Sequence, residues 1–170
     1  MDIVIRAALE ADLEQAGEVT VEAFVGDGHT QPDGSYVELL RDARRRSAEA
    51  ELYVAVDPAD LSRGAAGRVL GCVTFAVGGN PWADIATSEE GEIRMLAAAA
   101  ASRGRGVGEA LVRACVTRSR ELGLAGMAFS TRPAMTAAHR IYERVGFRRT
   151  PERDWCVRPG VDLLVYSLAF

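Results

Sequence analysis

The sequence is poor in the residues that build disulfide frameworks and metal sites. Among 170 residues there are three cysteines, far apart and without a C-x-x-C pair, and two histidines. Small secreted folds rely on paired cysteines and structural zinc sites on Cys/His clusters, so the sequence predicts neither. Cys72, Cys115 and Cys156 are expected to be buried thiols, and no metal is expected.

Long apolar runs and a dominant basic charge are also missing. No run approaches the roughly 20 residues of a membrane span, and the first residues lack the basic flank and apolar core of a signal peptide. The net charge of −4 argues against a general nucleic-acid binder. We therefore expect a cytoplasmic protein with no membrane or nucleic-acid partner, and the length predicts a single domain over residues 1–170.

Two common nucleotide-binding motifs are absent from the one glycine-rich stretch, Arg103-Gly-Arg-Gly-Val-Gly108. The dinucleotide fingerprint G-x-G-x-x-G fails because Glu109 stands where its third glycine belongs. The P-loop fails because no Gly-Lys-Ser/Thr follows. The stretch nevertheless opens a predicted helix, whose apolar residues have the spacing of one face: Val107, Ala110, Leu111, Ala114 and Cys115.

A glycine-rich loop that opens a helix is suited to an anion. Glycines let backbone N–H groups converge on a ligand, and a helix N-terminus adds unpaired donors and a partial positive charge. Arg103 and Arg105 add two formal charges. The pattern therefore fits a phosphate or pyrophosphate, although by itself it also fits a solvent-exposed turn.

Hydrophobic periodicity predicts the element order β-α-α-β-β-β-α-β-α-β-β. The predicted strands cover residues 3–6, 51–57, 69–77, a segment beginning near Glu92, 125–131, 154–157 and 163–170. The predicted helices cover residues 10–24, 36–50, 107 onward and 135–145, the last ending at Gly146. Residues 25–36 and 80–91 are predicted loops, residues 58–68 a long hairpin-like connection, and the arginines of the second helix a solvated face.

The element order and two motifs together resemble the GNAT acetyltransferase superfamily. Leu96 to Gly108 (LAAAAASRGRGVG) is similar to that family's acetyl-CoA pyrophosphate loop, Q/R-x-x-G-x-G/A. Ala138 to Phe147 (AHRIYERVGF) is similar to its A-x-x-L/I-Y-x-x-x-G-F helix and turn. The resemblance implies an α/β (α+β) fold, the GNAT fold, with a single mixed, mostly antiparallel central sheet of about 6–7 strands flanked by four helices.

The sequence departs from the family pattern at three positions. Ala98 and Ala100 stand where the family usually has Val and Pro, and alanine is a weaker strand former. Met135 stands where the family commonly has Asn at the start of the later helix, so a side-chain hydrogen bond near the cofactor would be lost. None of these changes removes the backbone donors of the loop.

The resemblance implies an enzyme, an acyltransferase that moves acetyl to nitrogen. Its co-substrate would be acetyl-CoA, and acetyl would pass directly to a primary amine of a small molecule or peptide. The pantetheine arm would pair with the strand backbone, and the loop N–H groups would hold the pyrophosphate. The residues implied for this donor are Leu96, Ala97, Ala98, Arg103, Gly104, Arg105, Gly106, Val107, Gly108, Glu109, Met135 and Ala138.

Direct transfer needs a base for the attacking amine and an acid for the leaving thiolate. By the resemblance Tyr142 is the general acid, while its place on an apolar stripe also fits a core tyrosine. Glu92 matches in position the general base of the histone-acetylating branch, and it also fits a structural acid paired with a neighbouring arginine.

Acidic loop residues are the candidates for the acceptor side. In this family the first two helices and their connecting loop line the amine site, which here implicates Asp27 and His29. Glu89 and Glu90 lie in a second loop that can line the same side, together with Asp84. These acids favour a cationic amine as the acceptor, and they are also the alternatives to Glu92 as the base.

Two other functions are compatible with the sequence. A non-catalytic acyl-CoA-binding sensor or scaffold would keep the loop and need no acid. An acyltransferase that uses a longer acyl-CoA would use the room left by the small side chains at residues 97–99. Family members are often dimers, so a homodimer through the final strands also agrees with the resemblance.

Overall fold

The computed structural model describes residues 3–61 and 66–170. In chain order the elements are β1 (Val4–Ala7), α1 (Leu13–Gly26), α2 (Ser35–Arg41), α3 (Ala43–Glu49), β2 (Glu51–Val56), α4 (Pro58–Leu61), β3 (Val69–Val77), β4 (Glu90–Ala98), α5 (Val107–Glu121), β5 (Gly126–Thr131), α6 (Thr136–Val145), β6 (Arg148–Arg149), β7 (Trp155–Arg158) and β8 (Val161–Ala169). None of these helices is long and apolar enough to cross a membrane.

The described residues fall into two units. One unit comprises Met1–Phe75 and Met95–Leu111, and the other comprises Ala76–Arg94 and Val112–Phe170. The connection predicted for residues 58–68 begins with helix α4, and its residues 62–65 lie outside the described ones.

The first unit contains an antiparallel ladder of β1, β2 and β3. Val4 lies opposite Val56 in the first pair, and Glu51 lies opposite Phe75 in the second. These strands are rich in the β-branched residues that fit a pleated surface, and β3 is buried from Val69 to Ala76. The predicted strands at 51–57 and 69–77 are confirmed to within one residue.

Helix α1 packs its apolar stripe into the core of this unit. Its buried members, at the spacing of one helix face, are Leu13, Ala16, Val19 and Ala23. They belong to one cluster with Leu52 and Val54 of β2 and Cys72 of β3. The helix predicted over residues 10–24 is therefore confirmed, with a short 3-10 helix at Glu10–Asp12 before it.

The second predicted helix, over residues 36–50, is two helices separated by Asp42. The backbone of Asp42 leaves the helical conformation at φ −76° and ψ 66°. Its carboxylate accepts a hydrogen bond from Arg45 N at 3.0 Å, which caps the start of α3. Aspartate competes for such local hydrogen bonds, so it breaks a pattern that is otherwise helical.

This break changes the position of Arg46, which the sequence pattern assigned to a solvated face. Arg41, Arg44 and Arg45 are exposed as predicted, but Arg46 is fully buried. Its guanidinium donates to the hydroxyls of Thr74 and Thr20, each at 3.1 Å. The prediction is wrong for Arg46 because a helix that restarts at residue 43 turns a different face inward.

The second unit is built around β8. This strand pairs antiparallel with β5, from Gly126 opposite Ala169 to Thr131 opposite Leu164, and also with β6 and β7. Strand β5 in turn pairs with β4 in parallel, where Glu90–Glu92 lie opposite Gly126–Ala128. The predicted α/β fold with a mixed, mostly antiparallel sheet is confirmed.

The described residues contain eight strands and six α-helices, more than the predicted counts. The additional strand, β6, has only two residues and so carries no alternating pattern. Of the three cysteines, Cys72 and Cys115 are buried as predicted, but Cys156 is exposed. The prediction fails for Cys156 because β7 is a short strand whose last three residues all face solvent.

Gly17 marks the close approach of α1 to the end of α2. A Cβ added at Gly17 would lie 2.2 Å from the carbonyl oxygen of Arg41, a distance that requires backbone movement. Gly26 lies in the same helix, and a Cβ there would meet nothing within 4 Å.

We expect Gly17→Ala to destabilise the protein and Gly26→Ala to leave it as stable or slightly more so. Alanine favours a helix over glycine by about 1 kcal/mol, but overpacking against the Arg41 backbone costs about 1–3 kcal/mol. Urea denaturation of both variants measures the difference. Equal free energies of unfolding for the two variants would contradict this account of Gly17.

Candidate functional site

The glycine loop lies in the first unit, between β4 and α5. A 3-10 helix at Ala100–Ser102 precedes it, and α5 begins at Val107. Gly104 and Gly106 have φ values of +75° and +82°, which side-chain-bearing residues rarely adopt. A Cβ at either position would meet nothing within 4 Å. The glycines are therefore required by backbone conformation, and the loop surface is open.

The start of α5 presents backbone donors at this loop. The first helical hydrogen bond runs from Ala110 N to Gly106 O at 3.0 Å. A helix leaves the N–H groups of its first turn without helical acceptors, and its dipole places partial positive charge there. The predicted glycine loop that leads into a helix is therefore present, and this geometry suits an anion.

Both arginines of the loop form ion pairs in this unit. Arg103 binds Asp27, with nitrogen–oxygen distances of 3.0 and 3.1 Å, and both side chains are close to half exposed. Arg105 lies 3.5 Å from Asp57. Exposed ion pairs contribute about 0–1 kcal/mol, so an anionic ligand can displace Asp27. Asp27, expected on the acceptor side, is therefore bound to a residue of the glycine loop.

His29 follows Asp27 at the end of α1. Its backbone N–H donates to Phe24 O at 2.9 Å, and its ring meets the Phe24 ring edge-on at 6.3 Å between centroids. The ring is partly exposed. These contacts fix the position of His29 relative to α1.

The C-terminal half of β4 carries the residues predicted to pair with pantetheine. Ala97 is buried, while Leu96 and Ala98 are partly exposed. Just before them Met95 has φ +52°, the one non-glycine residue in the left-handed region within residues 3–61 and 66–170. This backbone is unfavourable for methionine and departs from regular strand geometry within β4. The sequence holds no signal for it, because methionine has no preference for positive φ.

In the second unit Glu92 is a fully buried carboxylate. Its Oε2 accepts hydrogen bonds from the backbone N–H groups of Ile85 and Ala86, each at 2.9 Å. Its Oε1 is buried and has no hydrogen-bond partner among the residues that the structure describes. Burial raises the pKa of the Glu92 carboxyl, and the two N–H groups oppose that rise. One oxygen is thus fixed and the other is available to a proton.

The loop that supplies these N–H groups is held by two arginines of the same unit. Arg94 donates to Trp82 O at 2.8 Å and pairs with Asp84 at 2.9 Å. Arg153 donates to Ile85 O at 3.0 Å. No local sequence pattern indicates Arg153, because 68 residues separate it from Ile85.

Glu89 and Glu90, both expected on the acceptor side, have different environments. Glu90 binds Arg153 through both carboxylate oxygens at 2.9 Å and also accepts from Thr87 N at 3.0 Å. The hydrogen-bonded guanidinium of Arg153 lowers the pKa of Glu90. The side chain of Glu89 is exposed, and its carbonyl accepts from Ala125 N at 2.8 Å.

Tyr142 lies on α6, whose end explains the Gly-Phe part of the second motif. Gly146 has φ +111° and ends the helix, as predicted for a C-terminal glycine. The N–H of Phe147 then donates to Tyr142 O at 3.0 Å. The Phe147 ring packs on Phe129 at 5.0 Å between centroids, and Tyr142 packs on the same ring at 4.0 Å.

The Tyr142 side chain is buried among these rings, with 5% of its surface exposed. Burial raises the pKa of its hydroxyl well above the ordinary value for tyrosine. Since desolvation penalises the phenolate, the hydroxyl keeps its proton through the physiological range and can act as a donor. Core packing and proton donation are therefore compatible for this residue.

The start of α6 carries the two remaining residues that the motif implied. Met135 occupies the cap position and makes no side-chain capping hydrogen bond, as expected for a residue that replaces asparagine. Its sulfur accepts from the Thr131 hydroxyl at 3.6 Å. Ala138 is partly exposed on the helix.

The predicted site residues divide between the two units. The first unit holds the glycine loop, residues 96–98, Asp27 and His29, and the second holds Glu92, Tyr142, Met135, Ala138, Glu89 and Glu90. Across residues 3–61 and 66–170 no group of three His, Cys, Asp or Glu side chains is arranged to hold a metal ion.

The model of the acetyltransferase (GNAT) family matches residues 16–147. No curated protein matches the chain in sequence.

Several solved structures share the fold. A GNAT-family acetyltransferase from Staphylococcus aureus Mu50 superposes with a TM-score of 0.73 at 14% identity, covering 99% of each chain. A GCN5-related N-acetyltransferase from Kribbella flavida has a TM-score of 0.69 at 24% identity, covering 99% of this chain and 98% of that one. The PaiA N-acetyltransferase from Thermoplasma acidophilum, solved with coenzyme A, has a TM-score of 0.70 at 15% identity, covering both chains fully.

The opposite pKa shifts of Glu92 and Glu90 predict opposite effects of pH on stability. A carboxyl whose pKa is raised on folding stabilises the fold below its unfolded pKa, and this contribution is lost as pH rises through the folded pKa. Glu92→Gln should therefore gain stability relative to wild type as pH rises from about 4 to about 8.

Glu90→Gln is the matched control on the same strand. Because the pKa of Glu90 is lowered, its contribution is present above the unfolded pKa and is lost as pH falls. The Glu90→Gln variant should therefore lose stability relative to wild type as pH rises. Urea denaturation at each pH measures both differences. Slopes of the same sign would contradict the two environments.

Proposed function

We propose, since the chain belongs to the acetyltransferase (GNAT) family, that it transfers acetyl from acetyl-CoA directly to a primary amine of a small molecule or peptide. Acyl transfer is the reaction of the family. The observation that carries the finer proposal is the fully buried Glu92, whose Oε1 has no partner in the described residues. Such an orphaned buried oxygen costs about 1–3 kcal/mol of stability, and a catalytic role explains why the cost is retained.

The donor would bind at the glycine loop and the adjoining strand. The Arg105 N–H donates to Ser102 O at 3.4 Å, so the backbone N–H groups from Gly106 to Gly108, together with the dipole of α5, are the ones that suit a pyrophosphate. The backbone of Leu96 and Ala98 would pair with the amide groups of pantetheine, as an added strand does. The departures at Ala98 and Met135 change side chains and leave these backbone donors in place.

The reaction needs one proton removed and one supplied. The ammonium group of the acceptor first loses one proton to solvent; the neutral nitrogen then attacks the thioester carbonyl, the new C–N bond forms and the C–S bond breaks. Glu92, whose pKa is raised by burial, would accept the proton that the amine loses, directly or through a water molecule. Tyr142, which keeps its proton to high pH, would give it to the leaving thiolate and release free CoA.

A cationic amine remains the proposed acceptor class. Glu89 is exposed, and displacement of Asp27 from Arg103 by the donor phosphate would free a second carboxylate. Glu90 is the weakest of the proposed acceptor contacts, because both its oxygens already bind Arg153. His29 is partly exposed beside Asp27.

A thiol-release screen tests the proposed function. Acetyl-CoA is incubated with the protein and a panel of diamines, aminoglycosides and peptides, and free CoA is followed spectrophotometrically. The chain contains no lysine, so acetylation of its own side-chain amines cannot add to the signal. We expect release that depends on an amine. Slow hydrolysis that no amine accelerates would favour the sensor or scaffold function instead.

Tyr142→Phe should lower kcat by about 10²-fold and leave the KM for acetyl-CoA near wild type, because a general acid contributes about 10²–10⁴-fold. The matched control is Tyr166→Phe, since Tyr166 is buried and stacks on Phe129 in the same aromatic cluster. The control should retain wild-type turnover. Full turnover by Tyr142→Phe, with a favoured amine, would remove Tyr142 from the acid role.

Gly106→Trp should weaken the binding of CoA at least about tenfold, which is 1.4 kcal/mol, because the side chain would fill the space that a phosphate needs. Gly123→Trp is the control: Gly123 also has positive φ and open surroundings, and it follows α5 rather than preceding it. Isothermal titration calorimetry with CoA compares the two. Normal binding by Gly106→Trp would show that the loop does not hold the pyrophosphate.

A further inference from the structure

Arg153, the last residue of the 3-10 helix Pro151–Arg153, makes three hydrogen bonds to the loop and strand near Glu92. Its two terminal nitrogens bind the two oxygens of Glu90, each at 2.9 Å. One of these nitrogens also donates to the carbonyl oxygen of Ile85 at 3.0 Å. Both charged side chains are mostly shielded, with 27% and 18% of their surface exposed.

The carbonyl that Arg153 binds belongs to the same peptide group as the Ala86 N–H. A trans peptide is planar, and its C=O and N–H point in opposite directions. Arg153 holds the oxygen end, while the hydrogen end donates to Glu92 Oε2 at 2.9 Å. Fixing the carbonyl therefore fixes the direction of the N–H, and the cation and anion at the two ends polarise the peptide between them.

We infer that Arg153 is a positioning residue, which holds the Ile85–Ala86 peptide so that Glu92 Oε2 stays bound and Oε1 stays available for the proton in transfer. This inference rests on the proposed role of Glu92 as the base. No residue of the glycine loop or of α6 takes part in it.

The charged groups around Glu92 determine the direction of the effect. Arg94 lies on the same strand, Asp84 in the loop, and Glu90 with Arg153 beside them. Residues 126–128 of β5, which lie opposite Glu90–Glu92, carry no titratable side chain. Removal of Arg153 takes away a cation and loosens an N–H donor, and it leaves Glu90 unneutralised. All three changes favour the protonated form, so the pKa of Glu92 should rise further.

Arg149→Ala provides a closely matched control. Arg149 binds both oxygens of Asp154 at 2.7 Å and donates to a backbone carbonyl, that of Val165, at 2.7 Å. It therefore makes the same three bonds in the same unit, with 30% of its side chain exposed. None of these bonds involves the loop that contacts Glu92.

The test measures the titration of the Glu92 carboxyl directly and compares it with catalysis. The side-chain carboxyl carbon is followed by NMR against pH in ¹³C-labelled protein without ligands, with Glu92→Gln for assignment. The kcat/KM profile against pH is then recorded for wild type, Arg153→Ala, Arg153→Lys and Arg149→Ala.

In Arg153→Ala we expect the Glu92 midpoint and the acidic limb of kcat/KM to move together to higher pH. On the acidic limb kcat/KM should fall about tenfold for each pH unit by which the midpoint moves, with the KM for acetyl-CoA unchanged. Arg153→Lys, which keeps the charge but not the paired bonds, should shift part of the way. Arg149→Ala should leave both measurements at their wild-type values.

Three outcomes separate the inference from the function on which it rests. An unmoved Glu92 midpoint in Arg153→Ala overturns the inference. Equal loss of activity in Arg153→Ala and Arg149→Ala without a pH shift also overturns it, since a merely structural role predicts that result. A midpoint that moves while the pH–rate profile stays unchanged supports the positioning role and contradicts Glu92 as the base. If Arg153→Ala does not fold, Arg153→Lys gives the same measurements.

Discussion

A carboxylate taken out of water is the constraint on which the second unit depends. Burial of Glu92 is tolerated because two backbone N–H groups of one loop meet one of its oxygens. Those groups point at it only while the loop keeps its conformation, so the ion pairs of Arg94 with Asp84 and of Arg153 with Glu90 are tied to the same requirement. The main effect of these ion pairs is therefore to hold the loop that contacts Glu92, rather than to add the small stability of surface salt bridges.

The distinctive features of this fold lie at residues whose backbone departs from regular helix or strand geometry. Gly104 and Gly106 open the loop before α5, Met95 distorts β4, and Gly146 turns Phe147 back toward Tyr142. At three of these points glycine removes the steric cost. At Met95 the cost is retained, which is typical of positions that the surrounding structure over-determines.

Periodic segments could be predicted from the sequence, and contacts between distant residues could not. Helices α1 and α6 follow from apolar spacing, because one buried face imposes that spacing, and strands β2 and β3 follow from continuous runs of apolar and β-branched residues. The split at Asp42 and the burial of Arg46 depend on one side-chain cap and on partners in other elements. The Glu90–Arg153 pair spans 63 residues. Tyr142 and Glu92 could be identified as candidates from their positions in the sequence. Their burial and hydrogen bonds could be seen only in the folded structure.

The Asp27–Arg103 ion pair has a thermodynamic consequence for ligands of the first unit. An anion that recruits Arg103 must compete with Asp27, so its apparent affinity is lowered by the strength of that pair. Any cation that binds the Asp27 carboxylate removes the competitor. Because such coupling is reciprocal, the anion raises the affinity of the cation by the same factor. An exposed pair of this kind therefore produces modest positive cooperativity between two oppositely charged ligands, and the cooperativity fades as ionic strength increases.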